Sequence, residues 1–342
     1  MIATHRRTTF PACIVLLHAL AACGEQRLTE HQLSGPTMGT QFTVTVAAES
    51  EFDRESLRNQ IYETLDDIDS RMSTYRANSE LTQFNHARST DWIRVSPELC
   101  GAVDRSLALS TLTHGAFDIT VGKLVNLWGF GPDGSRHEPP ADADIAAARL
   151  TTGHEKLHAD CDRPAMRKDH AGLYIDLSAY AKGLAADDIS ALLDREGIAN
   201  YLVEIGGDLR TRGHNANNVQ WRVAIEKPDE TGRTVAKIIH ISDRSVATSG
   251  DYRNFFESEE QRYSHTIDPR TGRPVTHNIA SVTVLADSAA YADALATALM
   301  VLGPDDGLAF ADEEGIAAYF LHREDNGIAE RMSTHFRLLT DR

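Results

Sequence analysis

Two hydrophobic periods share this chain without settling into a regular rhythm, and that irregularity restricts the fold more than any other feature. Gln41–Val46 (QFTVTV) alternates like a half-buried strand, whereas Leu57, Ile61, Leu65 and Ile68 recur at helical spacing. A second helix starts with Ser96 as N-cap and Pro97 in its first turn, turns Leu99, Val103 and Leu107 inward, and stops near Gly115. Residues 129–140, rich in Gly and Pro, read as an irregular loop. Residues 179–196 read as a helix closed by Gly197, and 201–205 as a short apolar strand. Strand-like runs follow at 221–225, 237–241 and 281–285, then an Ala/Leu-rich helix over 288–302 closed by Gly303-Pro304. No βαβ alternation, internal repeat or composition break appears. The expectation is one large α+β domain over residues 35–340, mixing helices with mainly antiparallel strands.

Acidic residues outnumber basic ones, 50 to 34, for a formal net charge of −16, which argues against nucleic acid as a partner because a phosphate backbone needs a basic face. A local site for a small anionic ligand stays open. Residues 1–22 read as a lipoprotein signal peptide, with Arg6 and Arg7 ahead of an apolar stretch that ends Leu20-Ala21-Ala22-Cys23. That stretch is shorter than the roughly 20 apolar residues that span a bilayer. On this reading Cys23 carries acyl chains, residues 23–34 form a polar linker, and the protein is anchored in a bacterial cell envelope facing the periplasm. A plain signal peptide with a coincidental cysteine is the alternative. Cys100 and Cys161 either pair, which an exported compartment permits, or stand as separate buried thiols.

Two motifs match enzyme signatures in letters but not in context. His154-Glu155-Lys156-Leu157-His158 fits HExxH, which works only when both histidines share one helical turn. Here Gly153 precedes it, Pro164 follows, and the next glutamate is Glu196, so a strand or loop with two exposed histidines is expected. Gly129-Phe130-Gly131-Pro132-Asp133-Gly134 fits GxGxxG, yet a proline sits inside it and Pro139-Pro140 follow, which reads as a loop with turn glycines.

Other segments join turn-forming residues to charged or hydroxyl residues beside apolar runs: GPTMGT (35–40), SRMSTYRANSELTQFN (70–85), GAFDITVGKLVNLWGFG (115–131), IDLSAYAKG (175–183), EIGGDLRTRG (204–213), SVATSGDYRN (245–254), SHTIDPRTGRPV (264–275) and ADALATAL (292–299). Asp293 and Thr297, four apart on a helix, project from one face, and a carboxylate with a hydroxyl suits a hard cation such as Mg²⁺. In this order the segments resemble the ApbE family of FAD:protein FMN transferases, over nearly the whole chain from Met38 to about Gly303.

The resemblance implies an ApbE-like fold, FAD as substrate and Mg²⁺ held by Asp293, Thr297 and the backbone carbonyl of Ala179. It implies FAD contacts from Met38, Tyr75, Ala116, Phe117, Asp118, Asp176, Lys182 and Ile267, with Gly206 and Gly207 admitting close backbone approach. The implied reaction moves the FMN moiety of FAD to a Thr or Ser hydroxyl of exported flavoproteins, such as subunits of membrane redox complexes, and releases AMP. His265 is the expected base, since imidazole titrates near neutral pH. A Mg²⁺-dependent FAD pyrophosphatase and a non-catalytic FAD-binding lipoprotein are the alternatives.

Overall fold

A computed structural model describes residues 28–49, 52–136, 138–228, 234–251, 254–258, 261–325 and 327–341. The expected signal peptide and Cys23 lie outside the described residues. Eight strands form the main sheet: β1 (Thr29–Thr37), β2 (Thr40–Ala48), β3 (Tyr201–Ile205), β4 (Asp208–Arg212), β5 (Ser245–Gly250), β6 (Ile279–Ala286), β7 (Ala317–Glu324) and β8 (Gly327–Met332). Their order across the sheet is their order along the chain, and every neighbouring pair is antiparallel. Helices α1 (Arg54–Met72), α2 (Pro97–Leu112) and α3 (Ala181–Arg195) fall between β2 and β3, and α4 (Ala289–Leu302) between β6 and β7. This is the expected α+β domain.

The expected linker is shorter than residues 23–34, because β1 already begins at Thr29 and pairs with β2 from Thr29↔Ala48 to Thr37↔Thr40. Its sequence hides this. Only Leu33 of the strand is fully buried, so backbone pairing rather than an apolar pattern holds it.

One face of the sheet carries the helices. Val44, Val203 and Val284 meet Ile61, Ile189, Leu295 and Leu299 there in the main core. The other face is covered by the hairpin Trp221–Lys227/Thr234–Ile241 and the C-terminal helix Thr334–Thr340, whose Phe336 stacks on Tyr319. Sandwiched between both layers, β6 buries seven of its eight residues and so reads as a continuous apolar run rather than an alternating one. Helix α4 is apolar nearly all round and correspondingly buried. Its N-terminus is capped twice: Ser288 accepts from Tyr291 N–H, and the Asp187 carboxylate of α3 accepts from Ser288 Oγ, Ala289 N and Ala290 N at 2.7, 2.9 and 3.0 Å. Cys100 and Cys161 are joined by a disulfide, which ties the first turn of α2 to the turn after strand Leu157–Asp160.

Helices α3 and α4 touch backbone to backbone at Gly183. A Cβ placed there would lie 2.3 Å from the Ala289 carbonyl oxygen, and both atoms belong to packed helices that cannot swing aside. Gly183→Ala is therefore expected to lower stability by about 1–3 kcal/mol, the usual cost of overpacking, as read by urea denaturation. A variant as stable as the wild type would show that the two helices separate freely.

Candidate functional site

A cavity of about 390 Å³ opens on the helical side of the sheet, at the ends of β5, α3 and α4. It gathers nearly every expected residue from five separate stretches of chain: Tyr75; Ala116, Phe117 and Asp118; Asp176, Ala179 and Lys182; His265 and Ile267; Asp293 and Thr297. Met38 lines an adjoining cavity of about 850 Å³, which shares Tyr75, Ser178 and Lys182 with the first.

Three charges form its centre. Lys182 Nζ lies 2.5 Å from Asp208 Oδ2 and 3.2 Å from Asp293 Oδ2, with the two aspartates only 1% and 4% exposed. Burial opposes the lysine's charge, but the two carboxylates outweigh burial and hold its pKa above the ordinary value. Burial, reinforced by the Asp293 carboxylate, drives Asp208 well above the usual carboxylate range against the pull of Lys182. Asp208 therefore keeps its proton near neutral pH and the lysine balances Asp293; ionising Asp208 as well would leave the centre one positive charge short.

Two further oxygen donors adjoin it. Thr297 does not bond back to the carbonyl one turn earlier; its hydroxyl sits 2.9 Å from Ser249 Oγ on β5. The Ala179 carbonyl, just ahead of α3, accepts no hydrogen bond from any described residue. A buried carboxylate, a hydroxyl and an open carbonyl are hard oxygen ligands, and they fit Mg²⁺. Among the described residues no cluster of three or more His, Cys, Asp or Glu gathers for a metal, as expected when only one ligand is a carboxylate.

The remaining residues arrive with distinct local duties. Asp118 is buried and its carboxylate is committed internally, accepting from Thr120 N, Thr120 Oγ1 and His154 N at 2.8, 2.7 and 2.8 Å. Asp176 caps a turn through Ser178 N and Oγ rather than a helix, since α3 starts only at Ala181. Tyr75 is 68% exposed and its hydroxyl donates to the Phe130 carbonyl at 3.3 Å, laying the ring across the cavity mouth. Met38 and Gly39 form the two-residue β1–β2 turn with φ of 44° and 70°, a left-handed conformation that is uncommon for methionine.

His265 Nδ1 lies 2.9 Å from the Asn254 carbonyl oxygen. A carbonyl only accepts, so Nδ1 carries the proton and Nε2 keeps its lone pair. Burial lowers the histidine's pKa, with Asn254 opposing. Behind it Trp128, Phe256 and Tyr263 stack in a small aromatic cluster, and Trp128 Nε1 anchors the following loop at the Gly272 carbonyl, 2.9 Å away.

The HExxH stretch is not helical: His154–Lys156 is a 3₁₀ turn and Leu157–Asp160 a strand. Its histidines are half-buried rather than exposed, because each faces its own carboxylate, His154 with Asp118 and His158 with Asp169. Asp208, Ser249 and Asn254 were not singled out from sequence. Asp208 follows Gly206-Gly207, both at positive φ in a tight turn, and that turn starts β4 with Asp208 facing the helices.

With this geometry in view, comparison with known proteins is specific. A family description, the ApbE family, matches residues 38–320. A Vibrio cholerae protein named FAD:protein FMN transferase is 43% identical over 93% of this chain and 95% of its own length. One of that name from Klebsiella pneumoniae is 41% identical over 97% and 96%. Among solved structures, the flavin transferase ApbE of Vibrio cholerae superposes with a TM-score of 0.84 at 42% identity, covering 91% of this chain and 99% of that one. The apo flavinyl transferase ApbE of Pseudomonas stutzeri gives 0.85 at 38% identity, covering 92% and 98%.

The charged centre generates a prediction of its own. Lys182→Met leaves two buried carboxylates facing each other and is expected to cost about 3–5 kcal/mol at neutral pH. With the pull of Lys182 gone, the folded variant holds the Asp208 proton to higher pH than the wild type, which already binds it more tightly than the unfolded chain does. Its stability therefore rises as pH falls from about 9 toward 5, and the gap to the wild type narrows. A gap that is constant over that range, by denaturant titration, would mean that the aspartates do not repel.

Proposed function

The chain belongs to the ApbE family, and from that membership we propose that this FAD:protein FMN transferase moves the FMN moiety of FAD to a Thr or Ser hydroxyl of an exported flavoprotein, using Mg²⁺ and releasing AMP. The observation that carries the reading is the charged centre, in which Asp208 and Asp293 share Lys182 beside the Thr297 hydroxyl and the open Ala179 carbonyl.

Asp293, Thr297 and the Ala179 carbonyl are the residues that would hold Mg²⁺, which when bound offsets the negative charge of a pyrophosphate and of its displacement. Lys182 brings a second positive charge to the phosphates and pairs with the Asp293 carboxylate. Met38 and Tyr75 offer a thioether and an aromatic face to the flavin, and Ala116, Phe117 and Ile267 an apolar wall. The acceptor oxygen attacks the phosphorus on the FMN side of FAD; the P–O bond to AMP breaks and AMP leaves with the bridging oxygen. The hydroxyl proton passes to His265 Nε2, the nitrogen left basic by the Asn254 contact. The signal peptide and the Leu20–Cys23 lipobox support anchoring through Cys23 at the periplasmic side of the envelope, where exported flavoproteins mature.

The test is incubation with FAD, Mg²⁺ and the apo form of a flavoprotein that carries FMN on threonine. Mass spectrometry should find the phosphodiester-linked FMN adduct together with AMP; free FMN with no adduct would make the enzyme a pyrophosphatase. Asp293→Ala should abolish transfer and weaken FAD binding in Mg²⁺ buffer, with excess Mg²⁺ restoring it only in part. His265→Ala should lower the transfer rate roughly 10²–10⁴-fold while FAD affinity changes less than about tenfold. Because burial lowers the His265 pKa, the base stays neutral to lower pH, and the acid limb of the rate profile should fall below pH 6.5. An acid limb retained in His265→Ala would assign it to another group.

A further inference from the structure

The sheet has a notch beside the catalytic cavity. Strand β5 pairs with β6 as far as Gly250↔Ser281, yet with β4 only at Ser245↔Arg210 and Val246↔Leu209. Bonds from Thr211 N to the Arg244 carbonyl and from Asp251 N to the Ala280 carbonyl set the phase. Even-numbered residues of β5 therefore turn their main-chain groups toward β4, and odd-numbered ones toward β6. Past Val246, β4 has already turned back at Gly206-Gly207, so the amides and carbonyls of Thr248 and Gly250 meet no partner among the described residues. Strand β2 runs on past that turn to Thr40. The gap left between β2 and β5 is three strand spacings, about 14 Å.

Through this notch the two faces of the sheet communicate. On the helical face lies the catalytic cavity; on the other, a groove of about 620 Å³ lined by Thr40, Gln41, Glu204 and Glu226, with no lysine or arginine among its described lining residues. Thr248 and Gly250 line both. The side chains of β5 alternate accordingly: Ser249 faces the helices and Thr297, while Thr248 faces away and meets Thr283 Oγ1 at 2.8 Å.

We propose that the acceptor polypeptide enters this notch as an extended segment, pairing its backbone with the free edge of β5 at Thr248 and Gly250 and directing its reactive hydroxyl toward Thr297. The inference rests on the transferase reading above, which requires a protein substrate to reach the bound phosphates. Strand addition to an exposed edge is a general mode of peptide capture, with alternate side chains pointing to opposite faces. The reactive Thr or Ser then faces the catalytic cavity while the residues on either side of it face the groove. Glu204 there favours neutral or basic neighbours over acidic ones. A hydroxyl within a helix or a tight turn could not be presented this way, so the acceptor site is an extended loop or tail.

Thr248→Pro removes one of the two amides that face the notch and leaves the bonds to β6 intact, as proline is tolerated at sheet edges. Thr248→Val loses the hydroxyl but keeps the amide. With FAD, Mg²⁺ and the apo form of a threonine-linked FMN flavoprotein as probe, Thr248→Pro should raise the acceptor KM about tenfold or more, while Thr248→Val stays within about threefold. FAD affinity should move less than about threefold in either. Glu204→Lys, on the far face, should raise the KM for an acceptor with basic flanks and leave FAD affinity unchanged. A folded Thr248→Pro with wild-type acceptor KM overturns the proposal, and so does an equal loss of FAD affinity, which would make the edge part of the FAD site. If Thr248→Pro does not fold, an unchanged acceptor KM in Glu204→Lys overturns it instead. A wild type that binds FAD but forms no adduct sinks the transferase reading, and this inference with it.

Discussion

Two buried carboxylates sharing one lysine is the constraint on which the rest of the structure turns. Asp208 and Asp293 come from a strand and a helix far apart in sequence, and Lys182 from a second helix, so their meeting fixes three elements at once. Such a centre is expensive in isolation, because burying a charge costs several kcal/mol that one shared ammonium does not recover. In the function proposed above, a divalent cation would bring further positive charge to this centre and to the phosphates beside it.

The scaffold is arranged to hold that centre still. Asp187 of α3 caps α4, and Gly183 lets the same two helices touch, so Lys182 and Asp293 ride on a rigid pair. The tight Gly206-Gly207 turn delivers Asp208 from the sheet, and Ser249 of β5 orients the Thr297 hydroxyl. That turn also ends β3 and β4 early. One local conformation therefore places a carboxylate and opens the notch beside it.

How much of this was legible in the sequence depended on what each residue does locally. Helix α2 was readable because the Ser96 cap and the inward stripe agree, and α4 because its Ala/Leu-rich run ends at Gly303-Pro304. Strand β1 was not, since backbone pairing rather than apolar alternation holds Thr29–Thr37 in place. The expected site residues came from their segments and the family resemblance; one cavity gathers all of them but Met38, which lines the adjoining one. Their separate duties were hidden: the internal bonding of Asp118 and the lysine shared by Asp208 and Asp293 depend on contacts between distant parts of the chain. The Cys100–Cys161 pair, 61 residues apart, was open for the same reason.

The most direct test of the account is a crystal of the protein with FAD and Mn²⁺ in place of Mg²⁺, measured at a wavelength where manganese scatters anomalously. The account predicts one strong peak within ligand distance of an Asp293 carboxylate oxygen, Thr297 Oγ1 and the Ala179 carbonyl, against the FAD pyrophosphate. Bound FAD with no peak there, or with the metal held by other residues, would contradict it.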